Sequence, residues 1–234
     1  QFCTKPGLVV YAEGPEAGGF LTALEGAFNA APAGVVLGRG VLKGLETGVD
    51  RLRRLGARPV GGSGSAEGPG FRFRPALFGV TGTRFLEEPA EFQIESFGAL
   101  SLLVAARDMA EMKAVAASLE GQLAAAVFSA RDGSDDAAYE ALAPVLRRKA
   151  GRLLNDKAPT GVAVSPAMNH GGPFPATGHP GFTAVGIPAA MTRFAALHCY
   201  DHVRPDRLPA ELRNGNPTGR MWRLIDGEWT RRSL

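Results

Sequence analysis

Leu100-Ser101-Leu102-Leu103-Val104-Ala105, followed by the stretch from Asp108 to Leu119, decides the fold. The first segment is a nearly unbroken apolar run with the length of a strand buried on both faces. The second reads as a helix that follows that strand directly. A strand that must be covered and a helix able to cover it form one unit of an α/β layer structure. The same alternation extends in both directions. Upstream, Leu8 to Ala12 reads as a strand, Glu16 to Ala30 as a helix carrying Phe20, Leu21, Leu24 and Phe28, Gly40 to Leu55 as an amphipathic helix, and Ala76 to Val80 as a strand. Downstream, Leu123 to Phe128 and Gly151 to Asn155 read as strands around a helix from Asp136 to Arg148, with Asp135 or Asp136 as its cap. The fold class is α/β, a parallel twisted sheet covered by helices. Gly61 to Gly70 has the composition of an exposed connector. Beyond Pro188 the pattern changes to a short helix, Ala189 to Phe194, a strand from Leu197 to Val203, and a Pro- and Arg-rich tail with Trp222 and Trp229.

Charge narrows the function. The 26 basic residues against 23 acidic ones leave a net charge of +3, too small and too scattered for a nucleic-acid surface. No apolar run approaches the roughly 20 residues of a membrane helix, and no signal-peptide pattern stands at the start. Two cysteines at opposite ends, Cys3 and Cys199, form no disulfide framework, which points to a reducing, cytoplasmic setting.

Three segments carry chemistry. Cys3 lies in Gln1-Phe2-Cys3-Thr4-Lys5-Pro6-Gly7. A thiolate attacks carbonyls far better than a thiol, so a nucleophilic cysteine needs a nearby base or cation, and Lys5 is two residues away. Taken alone, Cys3 reads rather as a small buried residue at a strand entrance than as a nucleophile, and Cys199, inside an apolar run, reads as structural. Glu95, in Glu95-Ser96-Phe97-Gly98, can accept two hydroxyl hydrogen bonds from a diol or stand as a solvated loop residue. In His170-Gly171-Gly172-Pro173-Phe174-Pro175-Ala176-Thr177, glycines allow close backbone approach, prolines fix the turn and Phe174 offers an apolar wall. His170 is an acid-base candidate or a pocket-lining residue. The other histidines lack the spacing and acidic partners of a metal site, so none is expected. Gly38-Arg39-Gly40 through Gly44 imitates a dinucleotide fingerprint but reads as a helix start.

The first segment resembles the surroundings of the catalytic cysteine in aldehyde dehydrogenases. The second is similar to that family's Glu-x-Phe-Gly-Pro motif, with Ala99 in place of proline. The third resembles the branch that oxidises α-ketoglutarate semialdehyde or long-chain aldehydes. The resemblance implies the aldehyde dehydrogenase catalytic domain over residues 1–195 and an oligomerisation segment over 196–234. It implies Cys3 as nucleophile, Glu95 and Phe97 beside the nicotinamide and its ribose, and Phe2, Thr4, His170 and Phe174 around the substrate. NADP or NAD is the expected cofactor, a small aldehyde the substrate, and a homo-oligomer, dimer or tetramer, the assembly. In the family a cofactor-binding half, a glutamate base and an oxyanion-stabilising asparagine precede the cysteine. The chain is therefore expected to be the second half of such an enzyme, inactive alone. The alternatives are a self-contained cysteine hydrolase or thioesterase, or a non-catalytic assembly module.

Overall fold

A computed structural model describes the backbone of residues 1–234 and every side chain except those of Ser63 and Ser65. The chain divides into two compact units, Gln1–Arg193 and Phe194–Leu234.

The first unit contains, in order, β1 (Leu8–Ala12), α1 (Ala17–Ala30), β2 (Gly34–Val35), α2 (Arg39–Arg54), β3 (Arg58–Ser65), β4 (Arg72–Thr81), α3 (Gly82–Glu87), α4 (Pro89–Phe92), β5 (Leu100–Ala106), α5 (Met109–Ser118), β6 (Gln122–Val127), α6 (Asp136–Lys149) and β7 (Ala150–Asn155). The deciding stretch behaves as read. β5 is buried along nearly its whole length and pairs in parallel with β1 on one side and β4 on the other. α5 starts at Asp108, whose Oδ1 accepts from the Glu111 backbone N–H at 2.8 Å. The core joins Leu45, Val49 and Leu52 of α2 to Phe73 and Phe78 of β4, Leu100, Leu102 and Val104 of β5, and the stacked Phe85 and Phe92. Each such large side chain contributes about 1.5–3 kcal/mol of burial energy. Glu111 is also buried, and its carboxylate accepts from the Thr83 hydroxyl and the Arg107 backbone N–H, both at 2.8 Å, tying α5 to α3.

The fold is α/β, and it departs from the sequence reading in several places. The sheet is parallel through β1, β5 and β4, but β2 and β3 pair antiparallel to β4, and β6 with β7 form a separate two-stranded parallel sheet. Gly61 to Ser65 belongs to β3 and is no connector. There the glycines allow close packing: a Cβ on Gly61 would lie 3.2 Å from both the Glu25 carbonyl oxygen and Phe28 Cβ of α1, and one on Gly62 would collide with the Pro75 carbonyl. Asp135 flanks α6 without making a side-chain cap bond; its carboxylate accepts instead from the Ala130 N–H at 2.8 Å.

Leu197 to Val203 in the second unit is not a strand. Leu197 is fully exposed, and Cys199, read as structural, is exposed as well. An extended segment needs a neighbour to hydrogen-bond, and the segment has no strand partner among the described residues. This unit instead holds short 3-10 turns and an antiparallel hairpin, β8 (Arg223–Ile225) and β9 (Glu228–Thr230). Asp226 and Gly227 turn it with φ of 51° and 85°, the backbone that an Asp-Gly pair tolerates best. No helix among the described residues is long and apolar enough to cross a membrane.

Candidate active site

Cys3 sits in a turn closed by the Lys5 N–H donating to the Phe2 carbonyl at 3.1 Å. Two bonds fasten the turn to β5: the Ser101 hydroxyl donates to the Pro6 carbonyl at 2.8 Å, and the Leu102 N–H donates to the Gly7 carbonyl at 2.9 Å. The thiol is therefore held at the mouth of a parallel sheet, where β1 begins beside β5, and it is exposed. A cavity of about 960 Å³ opens beside it.

Glu95 and Phe97 line the same cavity as Cys3, and both are exposed. Their loop rests on α2 because Gly48 has no side chain: a Cβ there would overlap the Ser96 hydroxyl and lie 2.9 Å from Leu100. Gly98 continues the fit, since with φ at 150° it passes over Leu45. Helix α2 thus supplies both a core face and the support for the acidic loop.

The Gly-Gly-Pro loop arrives from the other sheet. A Cβ on Gly151 would coincide with the Gly171 carbonyl oxygen, one on Gly172 would strike the Gln122 carbonyl, and one on Gly121 would strike the Pro173 carbonyl. Backbone thus packs directly on backbone at the starts of β6 and β7, which side chains would prevent. The Thr177 hydroxyl donates to the Gly172 carbonyl at 2.7 Å, and the Thr183 hydroxyl lies 2.5 Å from Asn169 Oδ1. The loop so fixed brings His170 Nε2 to 3.5 Å from Cys3 Sγ, across 167 residues of chain. His170 Nδ1 is buried without a hydrogen-bond partner among the described residues.

The remaining pocket residues divide. Phe2 is 67% exposed and lines the cavity, whereas Thr4 is buried behind the turn. Phe174 is 78% exposed and stands off the cavity, which Pro175 and Ala176 of its loop line instead. Lys5 is drawn inward: its ammonium donates to the Leu100 carbonyl, and burial lowers its pKa from 10.5 to about 8 against the opposing pull of Glu95. The sequence gives no sign of Gly48, Gly121 and Gly151, because their role is to admit a neighbour that folding alone reveals. Thr177 was visible inside the motif but not as its clasp. Among the described residues no group of three or more His, Cys, Asp or Glu could hold a metal ion.

An exposed thiol faced by an imidazole, with a carboxylate and an aromatic ring lining the same cavity as the thiol, suits covalent attack on a carbonyl beside a bound diol. No protein-family model matches the chain. It is 43% identical to alpha-ketoglutaric semialdehyde dehydrogenase 2 of Azospirillum brasilense over 229 residues, which are 97% of this chain and 42% of that protein. It is 37% identical to alpha-ketoglutaric semialdehyde dehydrogenase of Acinetobacter baylyi over 230 residues, 98% of this chain and 43% of that one. The chain thus spans less than half the length of these curated relatives. In fold it is similar to the crystal structure of lactaldehyde dehydrogenase from Escherichia coli, with a TM-score of 0.59 at 21% identity over 74% of this chain and 35% of the other.

Proposed function

Since this chain belongs to the aldehyde dehydrogenase superfamily, in the branch of its two α-ketoglutaric semialdehyde relatives, we propose that it is the catalytic portion of an NAD(P)-dependent enzyme that oxidises an aldehyde to a carboxylic acid. The carrying observation is the Cys3–His170 approach of 3.5 Å beside a cavity that Cys3 lines together with Glu95 and Phe97. α-Ketoglutarate semialdehyde is the proposed substrate.

In this reading His170 Nε2 takes the thiol proton, and Cys3 Sγ adds to the carbonyl carbon to give a thiohemiacetal. Glu95 would hold the ribose diol of NADP or NAD through its carboxylate, and Phe97 would flank the nicotinamide. These two groups fit because both are exposed to the cavity that also holds the thiol. Bound there, the nicotinamide supplies a hydride acceptor. Cys3 then carries a thioester, and water releases the acid and returns the thiol. Phe2 and His170 flank the aldehyde, Thr4 backs the turn, and Phe174 meets ligand only if its loop moves inward. Turnover requires further polypeptide of the kind that makes the relatives more than twice as long. The second unit serves assembly of a homo-oligomer, and the free thiol suits a reducing, cytoplasmic setting.

The test is alkylation of this chain with iodoacetamide, using Cys199, also exposed, as an internal reference. Cys3 reacts faster than Cys199, and His170→Phe slows Cys3 alone. Equal rates, unchanged by that substitution, count against an activated nucleophile. In the intact enzyme Cys3→Ala abolishes acid formation from α-ketoglutarate semialdehyde. The Cys3–His170 pair also favours a second reading, thioester hydrolysis by the chain alone. Release of acid from a thioester without nicotinamide distinguishes it, and the unpartnered Nδ1 of His170 argues against a complete hydrolase triad.

A further inference from the structure

Lys5 is a second reactive group in the cavity, and the proposed oxidation does not use it. Its side chain runs from the Cys3 turn to β5, where Nζ donates to the Leu100 carbonyl, and it lines the same cavity as Cys3. The turn bond between the Lys5 N–H and the Phe2 carbonyl holds thiol and amine on one short segment. We propose that Lys5 is a carbonyl-capturing amine, which forms a reversible imine with small aldehydes that enter the cavity beside Cys3. The inference rests on the cavity's admitting aldehydes, as the proposed function requires, but not on their oxidation.

The step is a condensation. The Nζ lone pair attacks the carbonyl carbon, one N–H proton passes to the oxygen, and the carbinolamine loses that oxygen as water while the second N–H proton departs, leaving C=N. No oxidant or reductant is consumed. An ammonium has no lone pair to give, so the reaction needs the neutral amine, and removal from water favours that form of Lys5. The charged and titratable groups around the cavity are Lys43 and Arg51 of α2, Glu91 of α4, Glu95, Glu120 and Cys3 itself. Only the Glu95 charge opposes the loss of the proton appreciably, and burial outweighs it.

The experiment treats the 234-residue chain with butanal and cyanoborohydride, which reduces the imine to a stable secondary amine, and maps alkylation by peptide mass spectrometry. The chain has five lysines, Lys5, Lys43, Lys113, Lys149 and Lys157, so four serve as references. Lys5 is expected to be labelled at least about tenfold faster than their mean near neutral pH, because a fall in pKa from an ordinary lysine value enlarges the neutral fraction. Its rate levels off above about pH 8 while theirs keep rising. Labelling of Lys5 no faster than the references, or with their pH profile, overturns the proposal. Cys3→Ala leaves Lys5 labelling intact while removing the site of iodoacetamide capture, so this inference and the proposed nucleophile fail separately.

Discussion

Replacing Lys5 by methionine removes a stability increment that appears only in alkali. In the folded chain the Lys5 amine titrates at about 8, against 10.5 for an unburied lysine. Between those values the unfolded chain binds more protons than the folded one, so stability rises with pH. Below about pH 8 both states carry the ammonium, and the fold bears the full cost of burying it. Above about pH 10.5 both carry the amine, and that cost is gone. A gap of about 2.5 pH units at about 1.4 kcal/mol each sets the rise at about 3 kcal/mol. Methionine keeps the length of the side chain and titrates nowhere. Losing the bond to the Leu100 carbonyl offsets the variant by about 1 kcal/mol or more at every pH, without adding slope. The assay is urea unfolding of both proteins at several pH values from about 7 to about 11, read as the difference in unfolding free energy, in which every other titrating group cancels. Wild type is expected to gain about 3 kcal/mol on the variant across that range. Two curves that run parallel would refute a buried ammonium at Lys5.

Gly151→Ala forces a Cβ into the Gly171 carbonyl, so the chain loses about 1–3 kcal/mol of stability by overpacking; thermal unfolding reads that loss. The same change moves His170 away from Cys3, and a slowed alkylation of Cys3 with Cys199 unaffected reports it. Glu111→Ala deletes a buried carboxylate that accepts from Thr83 and Arg107, at a cost of about 2–3 kcal/mol. These hydrogen bonds, the Arg107 N–H first, hold the Glu111 pKa below 4.5, so its stabilisation is complete above that value and is lost as pH falls through the lower folded one. The gap between wild type and the variant therefore narrows in acid, as denaturant titrations below about pH 4.5 will show.

The core layer was legible because its signals are local. β5 announces itself as an apolar run, and α2 by a stripe of Val41, Leu45, Val49 and Leu52. β3 was not, since Gly61, Gly62 and Gly64 read as flexible until α1 and β4 are in place to be packed against. Nor was the β8–β9 hairpin legible, because its strands of three residues are too short for periodicity to detect. At the site, three motifs named the residues that the proposed reaction uses. The sequence could not show that His170 faces Cys3, because that contact depends on glycines 121, 151 and 172, which seat one backbone on another. Phe174 attracted attention as a bulky apolar residue, yet the smaller Pro175 and Ala176 reach the cavity.

The two walls of the cavity hang from sheets of unequal strength. β4 is bonded along both edges and carries Phe73, Ala76, Leu77 and Phe78 at full burial, so its amides should be among the last to exchange with solvent deuterium. Among the described residues β6 and β7 pair with each other alone, and along β6 every residue is partly open to water. The Gly-Gly-Pro side of the cleft is accordingly the compliant jaw and the cysteine side the anvil. A bulkier occupant of the cleft would be accommodated by yielding at the Gly-Gly-Pro loop, while the sulfur keeps its place.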